Sequence, residues 1–222
     1  GISLRFNPLF DLDLIGNDLK KIGFKNVIVE TEIIKVKYNS LFKLMRDLRG
    51  MGMTNNLSNQ QKSLLKKFLN PFTFSLYFFL NVPMVWFSGM RLSEFSKEKC
   101  ISELPFKWYY RWLNMNPFKS VYFAVQCMGA EISTASLVAL AINGKSPSIA
   151  FIVTKMRSQY FKKAIGATKF TCNDGDKIFD AVDQVLRSEE GVEIEAKTTG
   201  TLEDGTIVSE FYFTWSLKQR KR

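Results

Sequence analysis

The strictest alternation in the chain lies near its end, where Phe211, Phe213, Trp215 and Leu217 interleave with Tyr212, Thr214, Ser216 and Lys218. Successive side chains of a strand point to opposite faces, so four large hydrophobes share one face of an antiparallel strand. Val192 to Leu202 forms the first arm of this hairpin, Glu203-Asp204-Gly205 the turn, and Thr206 to Lys218 the second arm. Upstream the period changes. Phe118 to Ile142 has helical spacing and is closed by Asn143-Gly144. Between this helix and the hairpin, the pattern predicts strands at Ser148–Thr154 and Phe161–Cys172. A short helix from about Lys177 to Arg187 follows Asn173-Asp174-Gly175. Glu94 to Phe106 reads as a further hairpin around the polar turn Ser96-Lys97-Glu98-Lys99.

Phe68 to Met90 contains no charged residue and is long enough to span a bilayer. Asn81 and Pro83 interrupt it and Gly89 ends it. The pattern therefore predicts an amphipathic helix to about Leu80, then a turn and the start of a strand, without membrane contact. The first 58 residues form a separate αβα pattern. Leu12, Ile15, Leu19 and Ile22 give a helix stopping at Gly23; Asn26 to Tyr38 is β-rich; Ser40 to Arg49 is a second helix ending at Gly50-Met51-Gly52. Thr54 to Lys62 reads as a linker. Two domains are expected, 1–56 and 57–222.

In the larger part the order is helix, hairpin, long helix, then four strands with a short helical crossover. An antiparallel sheet curled around one buried helix satisfies it, since every strand then has its apolar face covered. This is an α+β class, and the arrangement is that of the hotdog fold.

Composition narrows the chemistry. Of 222 residues 46% are hydrophobic, with 20 Phe, which suffices for a packed core. No histidine is present, which removes Ser-His-Asp and Cys-His machinery and most zinc sites. Cys100, Cys127 and Cys172 form no CxxC pair and no disulfide framework, and a reducing cytoplasmic setting is expected. The net charge of +10 is spread along the chain, apart from the terminal run Lys218-Gln219-Arg220-Lys221-Arg222. No interleaving of basic and aromatic residues marks a nucleic-acid surface.

The run Trp112 to Thr134 (WLNMNPFKSVYFAVQCMGAEIST), with Phe161-Lys162-Lys163-Ala164, Phe170-Thr171-Cys172-Asn173-Asp174-Gly175 and Thr214-Trp215-Ser216, resembles an uncharacterised bacterial family of the hotdog thioesterase superfamily. The resemblance covers about 57–218. It implies acyl-thioester chemistry on acyl-CoA or acyl-carrier protein, with coenzyme A or phosphopantetheine as part of the substrate and no further cofactor. It also implies a homodimer or dimer of dimers. In related thioesterases an Asn precedes the helix, a Gly-Gly or Ala-Gly step lies at its first turn, and an acid sits about two turns in. The resemblance places Asn116 at the first position, Tyr122 where a His or aromatic often stands, and Glu131 at the acid. Ala124 departs from the pattern, which prefers Gly. Residues 1–56, through Leu4-Arg5-Phe6-Asn7-Pro8-Leu9, Ile22-Gly23-Phe24 and Leu44 to Gly52 (LMRDLRGMG), resemble the C-terminal end of an S-adenosylmethionine-dependent methyltransferase of the malonyl-carrier-protein type. The cofactor-binding region of that family lies upstream and is missing from these residues.

The residues themselves offer a mechanism without histidine. The first amides of a helix lack internal partners and carry partial positive charge. At Phe123 and Ala124 they would form an oxyanion hole, each good donor contributing roughly 3 kcal/mol. Glu131 shares a helical stripe with Ala124, Cys127, Met128, Ala135 and Val138, and a carboxylate in so apolar a stripe is expected to titrate high, as a general base requires. It could instead attack directly through an anhydride, or be bound structurally to an amide or to an Arg across a dimer seam. Asn116 is a candidate to orient the water or the carbonyl, and Tyr122 to touch substrate or pack in the core. Lys155, Arg157, Lys162 and Lys163 would meet the phosphates of the coenzyme, or form a solvated basic face. No metal site is expected. Two functions stay open, an acyl-thioester hydrolase and a non-catalytic acyl-thioester binding or regulatory module. A link to methyltransferase-associated synthesis rests on residues 1–56 alone.

Overall fold

In a computed structural model of the chain, residue 22 and residues 57–188 and 190–220 are described. The chain divides after Asn56; the αβα pattern of the first part falls outside the described residues, as does the end of the basic C-terminal run. Three helices open the second unit: α1 (Asn59–Leu69), α2 (Pro71–Asn81) and α3 (Pro83–Ser88). Then come β1 (Arg91–Phe95), β2 (Cys100–Leu104), α4 (Trp108–Asn114) and the long α5 (Phe123–Ile142). The remainder is β3 (Ile149–Tyr160), β4 (Thr168–Cys172), α6 (Gly175–Arg187), β5 (Val192–Leu202) and β6 (Ile207–Gln219). All six strands join one sheet in the order β1-β2-β4-β5-β6-β3, every pairing antiparallel. The sheet wraps α5, and the fold is a hotdog.

The alternating strand behaves as its sequence requires. Phe211, Phe213, Trp215 and Leu217 are buried, and each intervening residue from Tyr212 to Lys218 is more open. Covering a large apolar side chain stabilises the fold by about 1.5–3 kcal/mol, so this face alone commits β6 to the core. Helix α5 comes close to the sheet at Gly129, where an added Cβ would strike the Phe170 ring and where the Ser102 hydroxyl donates to the Gly129 carbonyl at 2.5 Å. By length and composition α5 could cross a membrane. Here the sheet buries most of it, including Ala130, Leu137, Val138 and Leu140.

Five boundaries differ from the sequence pattern, each for a local reason. The supposed linker at 54–62 turns helical from Asn59, because Ser58 and Gln61 form a reciprocal capping box. Pro83 starts α3 rather than leading into a strand; Gly89, at φ 74°, ends it and lets β1 begin at Arg91. β3 does not stop at Thr154: its ladder with β6 continues past a bulge at Val153/Lys155 to Tyr160↔Ser209. β4 correspondingly begins at Thr168, not Phe161. Finally, α5 opens at Phe123 and not at Asn116-Pro117-Phe118. The intervening residues are held in a turn with Lys119 at φ 59°, which no helix accommodates. Helix α4, just upstream, was not foreseen; its N-terminus has no side-chain cap and its aromatic residues are largely exposed.

Candidate functional site

Several bonds fix the start of α5. The Asn116 side-chain oxygen accepts from the amides of Phe118 (3.0 Å) and Ser120 (3.2 Å) and from the Ser120 hydroxyl (3.2 Å). The amides of Val121 and Tyr122 donate to the carbonyls of Ala164 and Asn114, both at 2.8 Å. Gln126, buried, donates from Nε2 to the Val121 carbonyl (3.1 Å) and accepts the Ser209 hydroxyl at Oε1 (3.0 Å). The helix N-terminus is thereby bolted to β6 and to the β3–β4 loop. Its own first donors stay open. Tyr122, the N-cap residue, makes no side-chain cap bond, its carbonyl accepts from Val125 and Gln126, and the amides of Phe123 and Ala124 have no partner among the described residues. Both residues are exposed, so these N–H groups face the exterior where a carbonyl oxygen can reach them.

Glu131 lies two turns along. It is half-buried, and burial alone raises its carboxyl above the ordinary carboxylate range. The level of Glu131 is roughly 10 Å along the axis from that of Ala124 at the standard helical rise. Helical side chains lean toward the N-terminus, the end that carries the free amides. Below Glu131 is an apolar pocket of about 220 Å³, walled by Phe78, Val82 and Val85 from the opening helices, by Ile132 and Ala135 of α5, and by Phe151 of β3.

Between the amides and the carboxylate stand two residues. Burial raises the Cys127 thiol, and the nearby Glu131 charge raises it further. Burial also raises the Tyr160 phenol, opposed by a bond with the Ser158 side chain and reinforced by Cys127. The Tyr160 ring meets those of Phe123 and Phe211 edge-on at 6.5 and 5.6 Å. Phe123, Cys127, Glu131 and Tyr160 thus line one outward strip, α5 on one side and the inner face of β3 on the other. The sequence pattern gave no sign of Tyr160, because it ended β3 at Thr154. The extra turn of pairing across the bulge is what brings this side chain in.

The other candidates divide. Lys162 and Lys163 border a cavity of about 300 Å³ together with Asn116, Phe123, Gln126 and Tyr160, so both lysines and Asn116 converge on the start of α5. Arg157 does not join them. It pairs with Tyr212, a residue of the outer sheet face; it holds Glu195 through two bonds, 3.0 and 3.3 Å, and its guanidinium lies 3.5 Å over the Tyr212 ring. The Asn116 side-chain oxygen is occupied by its own turn, so only its amide nitrogen remains to face the cavity. Tyr122 is partly exposed and packs edge-on against Phe123 at 4.8 Å. Cys100 and Cys172 face each other across β2 and β4 in full burial, and burial pushes the Cys172 thiol up to about 12. Among the described residues, no group of three or more Cys, Asp or Glu side chains is placed to hold a metal ion.

No protein-family model matches the chain. A stretch of 67 residues, 30% of the chain, is 37% identical to the mitochondrial arginine-hydroxylase NDUFAF5 of mouse, and equally to that of rat. The chain spans about a fifth of that protein, 19% of its length. Among solved structures, a Pseudomonas aeruginosa protein of unknown function, a candidate thioesterase, superposes with a TM-score of 0.56 at 18% identity, over 69% of this chain and 99% of that one. A Chlorobaculum tepidum protein of unknown function gives 0.56 at 14% identity over 69% and 99%. A candidate thioesterase from Shewanella oneidensis gives 0.53 at 10% identity over 70% and 97%. At such identities the likeness establishes the fold, which this chain shares with thioesterase-like hotdog proteins.

Proposed function

We propose that this chain binds acyl thioesters, of coenzyme A or of a carrier protein, and hydrolyses them at the outward strip of α5. One observation carries the reading: a half-buried carboxylate shares that strip with two helix amides, all three without a partner among the described residues, above an apolar pocket. The thioester carbonyl oxygen accepts from the Phe123 and Ala124 amides, and the acyl chain enters the pocket beneath Glu131. Glu131 takes a proton from water as the water oxygen bonds to the carbonyl carbon. The tetrahedral oxyanion is held by the amides. On its collapse the C–S bond breaks, and the thiolate leaves with the proton returned from Glu131. Lys162 and Lys163 supply cations for coenzyme phosphates at the edge of the neighbouring cavity, whereas Arg157, engaged on the other face, is not assigned to them. No metal or further cofactor enters this scheme, and a cytoplasmic setting suits its substrates.

The test is thiol release from a panel of acyl-CoAs of different chain length. Wild type should turn over at least one, and Glu131→Gln should lose about 10²–10⁴-fold in rate while still binding acyl-CoA. If wild type binds acyl-CoA but releases no thiol from any chain length, hydrolysis is excluded and the domain is a non-catalytic acyl-thioester binder.

A further inference from the structure

A helix that is apolar on all sides is ordinarily enclosed on all sides. Helix α2, with the sequence PFTFSLYFFLN, is not. It buries Phe74 and Phe78 against the fold and leaves Phe72 and Leu80 outside. The exposed surface continues onto α3 and α4, which pack in succession against it. Phe72, Leu80, Met84, Trp108 and Trp112 are each more than two-thirds exposed. The Phe79, Trp86 and Phe87 rings link α2 to α3 in edge-on contacts of 5.0 Å, and a groove bordered by Phe87, Tyr109 and Leu113 joins α3 to α4. Isolated exposed hydrophobes are ordinary, but a continuous apolar patch of this extent marks a docking surface.

Charge identifies the occupant. Residues 57–90 and 105–120, which build this face and its margin, hold Lys62, Lys66, Lys67, Lys107, Arg111 and Lys119 and none of the chain's 21 carboxylates. All six cations are exposed. A second copy docked through the same patch would set like charges against like across a two-fold axis. Residues 1–56 carry nine Lys/Arg against six Asp/Glu, so they offer no acidic complement either. An apolar centre with aromatic residues and a margin in which Lys and Arg predominate matches the boundary of an anionic bilayer. There Trp and Tyr settle at the headgroup level, and Lys/Arg meet lipid phosphates. We infer that the α2–α3–α4 face is a membrane-docking surface that lies in the interface of an anionic lipid bilayer, contrary to the expectation from the interrupted Phe68–Met90 pattern.

Flotation of the full chain with lipid vesicles tests this. The protein should float with phosphatidylcholine vesicles containing phosphatidylglycerol, less so as salt is raised, and should stay behind with phosphatidylcholine alone. Trp emission should shift to the blue, because Trp86, Trp108 and Trp112 lie on the face while Trp215 is buried. Trp108→Ala/Trp112→Ala and Lys107→Glu/Arg111→Glu should each lower the bound fraction about tenfold. Far-ultraviolet melting curves that match wild type establish that each variant is folded, and the two variants check one another. Failure of the wild type to float on anionic vesicles overturns the inference, as does flotation that neither folded variant weakens. A dimer that becomes monomeric in the Trp variant assigns the face to a second copy and likewise overturns it. None of these readouts depends on thioester turnover.

Discussion

Glu131 illustrates how a carboxylate proposed as a catalytic base opposes the fold that holds it. In the unfolded chain a glutamate titrates near ~4.3, and burial holds Glu131 above its ordinary value in the folded chain. The native state therefore binds more protons between these two values. The stability contributed by this group is complete below the unfolded value and is lost as the pH rises through the folded one. Glu131→Gln should consequently melt higher than wild type at pH about 8 and close to it at pH about 3.5, where both states carry a protonated carboxyl. Thermal melts at the two pH values check this. Activity should show the mirror image: kcat/KM falls as acidification protonates the base, with the midpoint above that of an ordinary glutamate. Ala124 is the second residue of interest. Its amide is one of the two donors without a partner among the described residues, and in the proposed reaction its methyl stands beside the approaching carbonyl. Ala124→Gly should raise kcat/KM severalfold on bulky acyl groups, while lowering stability by up to roughly 1 kcal/mol. Steady-state kinetics across chain lengths would separate this from a uniform effect.

At the scale of elements, the site depends on how the ends of α5 are tied down. Gln61 on α1 closes the capping box with Ser58, and its buried Nε2 donates to the Leu140 and Ala141 carbonyls at 2.9 and 3.4 Å. The Ala141 carbonyl of the last turn is satisfied in this way, and the Leu140 carbonyl, which also accepts from the Asn143 amide at 3.3 Å, gains a second donor. Gln61→Ala removes both functions and should cost about 1–3 kcal/mol, a fall in Tm of roughly 2–4 °C per kcal/mol for a chain of this size; Ser58→Ala, losing the cap alone, should cost about 1 kcal/mol. The pattern reads Ser58 and Gln61 as linker although Ser-x-x-Gln is a local capping-box signature; what no local pattern holds is the partner carbonyls, some eighty residues away. The same distinction separates what was legible from what was not. β6 and α5 announce themselves, since alternation and helical spacing are local consequences of one covered face. Glu131 follows from its place in an apolar stripe. Tyr160 does not, because β3 runs on past a bulge only while β6 is there to pair with it. Nor does the outward placement of Arg157, which depends on the register that sets it opposite Tyr212.

For the molecule as a whole, the two edges of the sheet are unequal. β1 has five residues, is flanked by the ion pairs Arg91–Glu103 and Lys99–Glu94, and packs against α1. β3 has twelve residues, pairs on one side only among the described residues, and exposes Ile152 and Met156. The length of this edge and its exposed apolar side chains make it a template for another strand, with its bulge, Lys155 and Arg157 working against pairing, whereas a short charged edge resists it outright. Antiparallel pairing of two copies through β3 would extend the sheet across the seam and lay the second copy along the strip that holds Glu131. Light scattering should therefore give twice the mass of the chain. Ile152 lies opposite Ser216 on the outer face and Met156 opposite Phe213 on the inner, so Ile152→Lys/Met156→Lys puts charge on both faces of the seam. Like charges brought together across the two-fold should weaken the dimer by roughly 10²-fold or more, with little change in the melting of each protomer. A wild-type monomer, or a dimer indifferent to both lysines, would rule out pairing through this edge. Turnover by the separated protomers then decides the deeper point. The free amides and the carboxylate belong to one helix of one chain, so a monomer that still releases thiol means the second copy only closes the strip. A monomer that binds acyl-CoA without turnover means that the seam completes it.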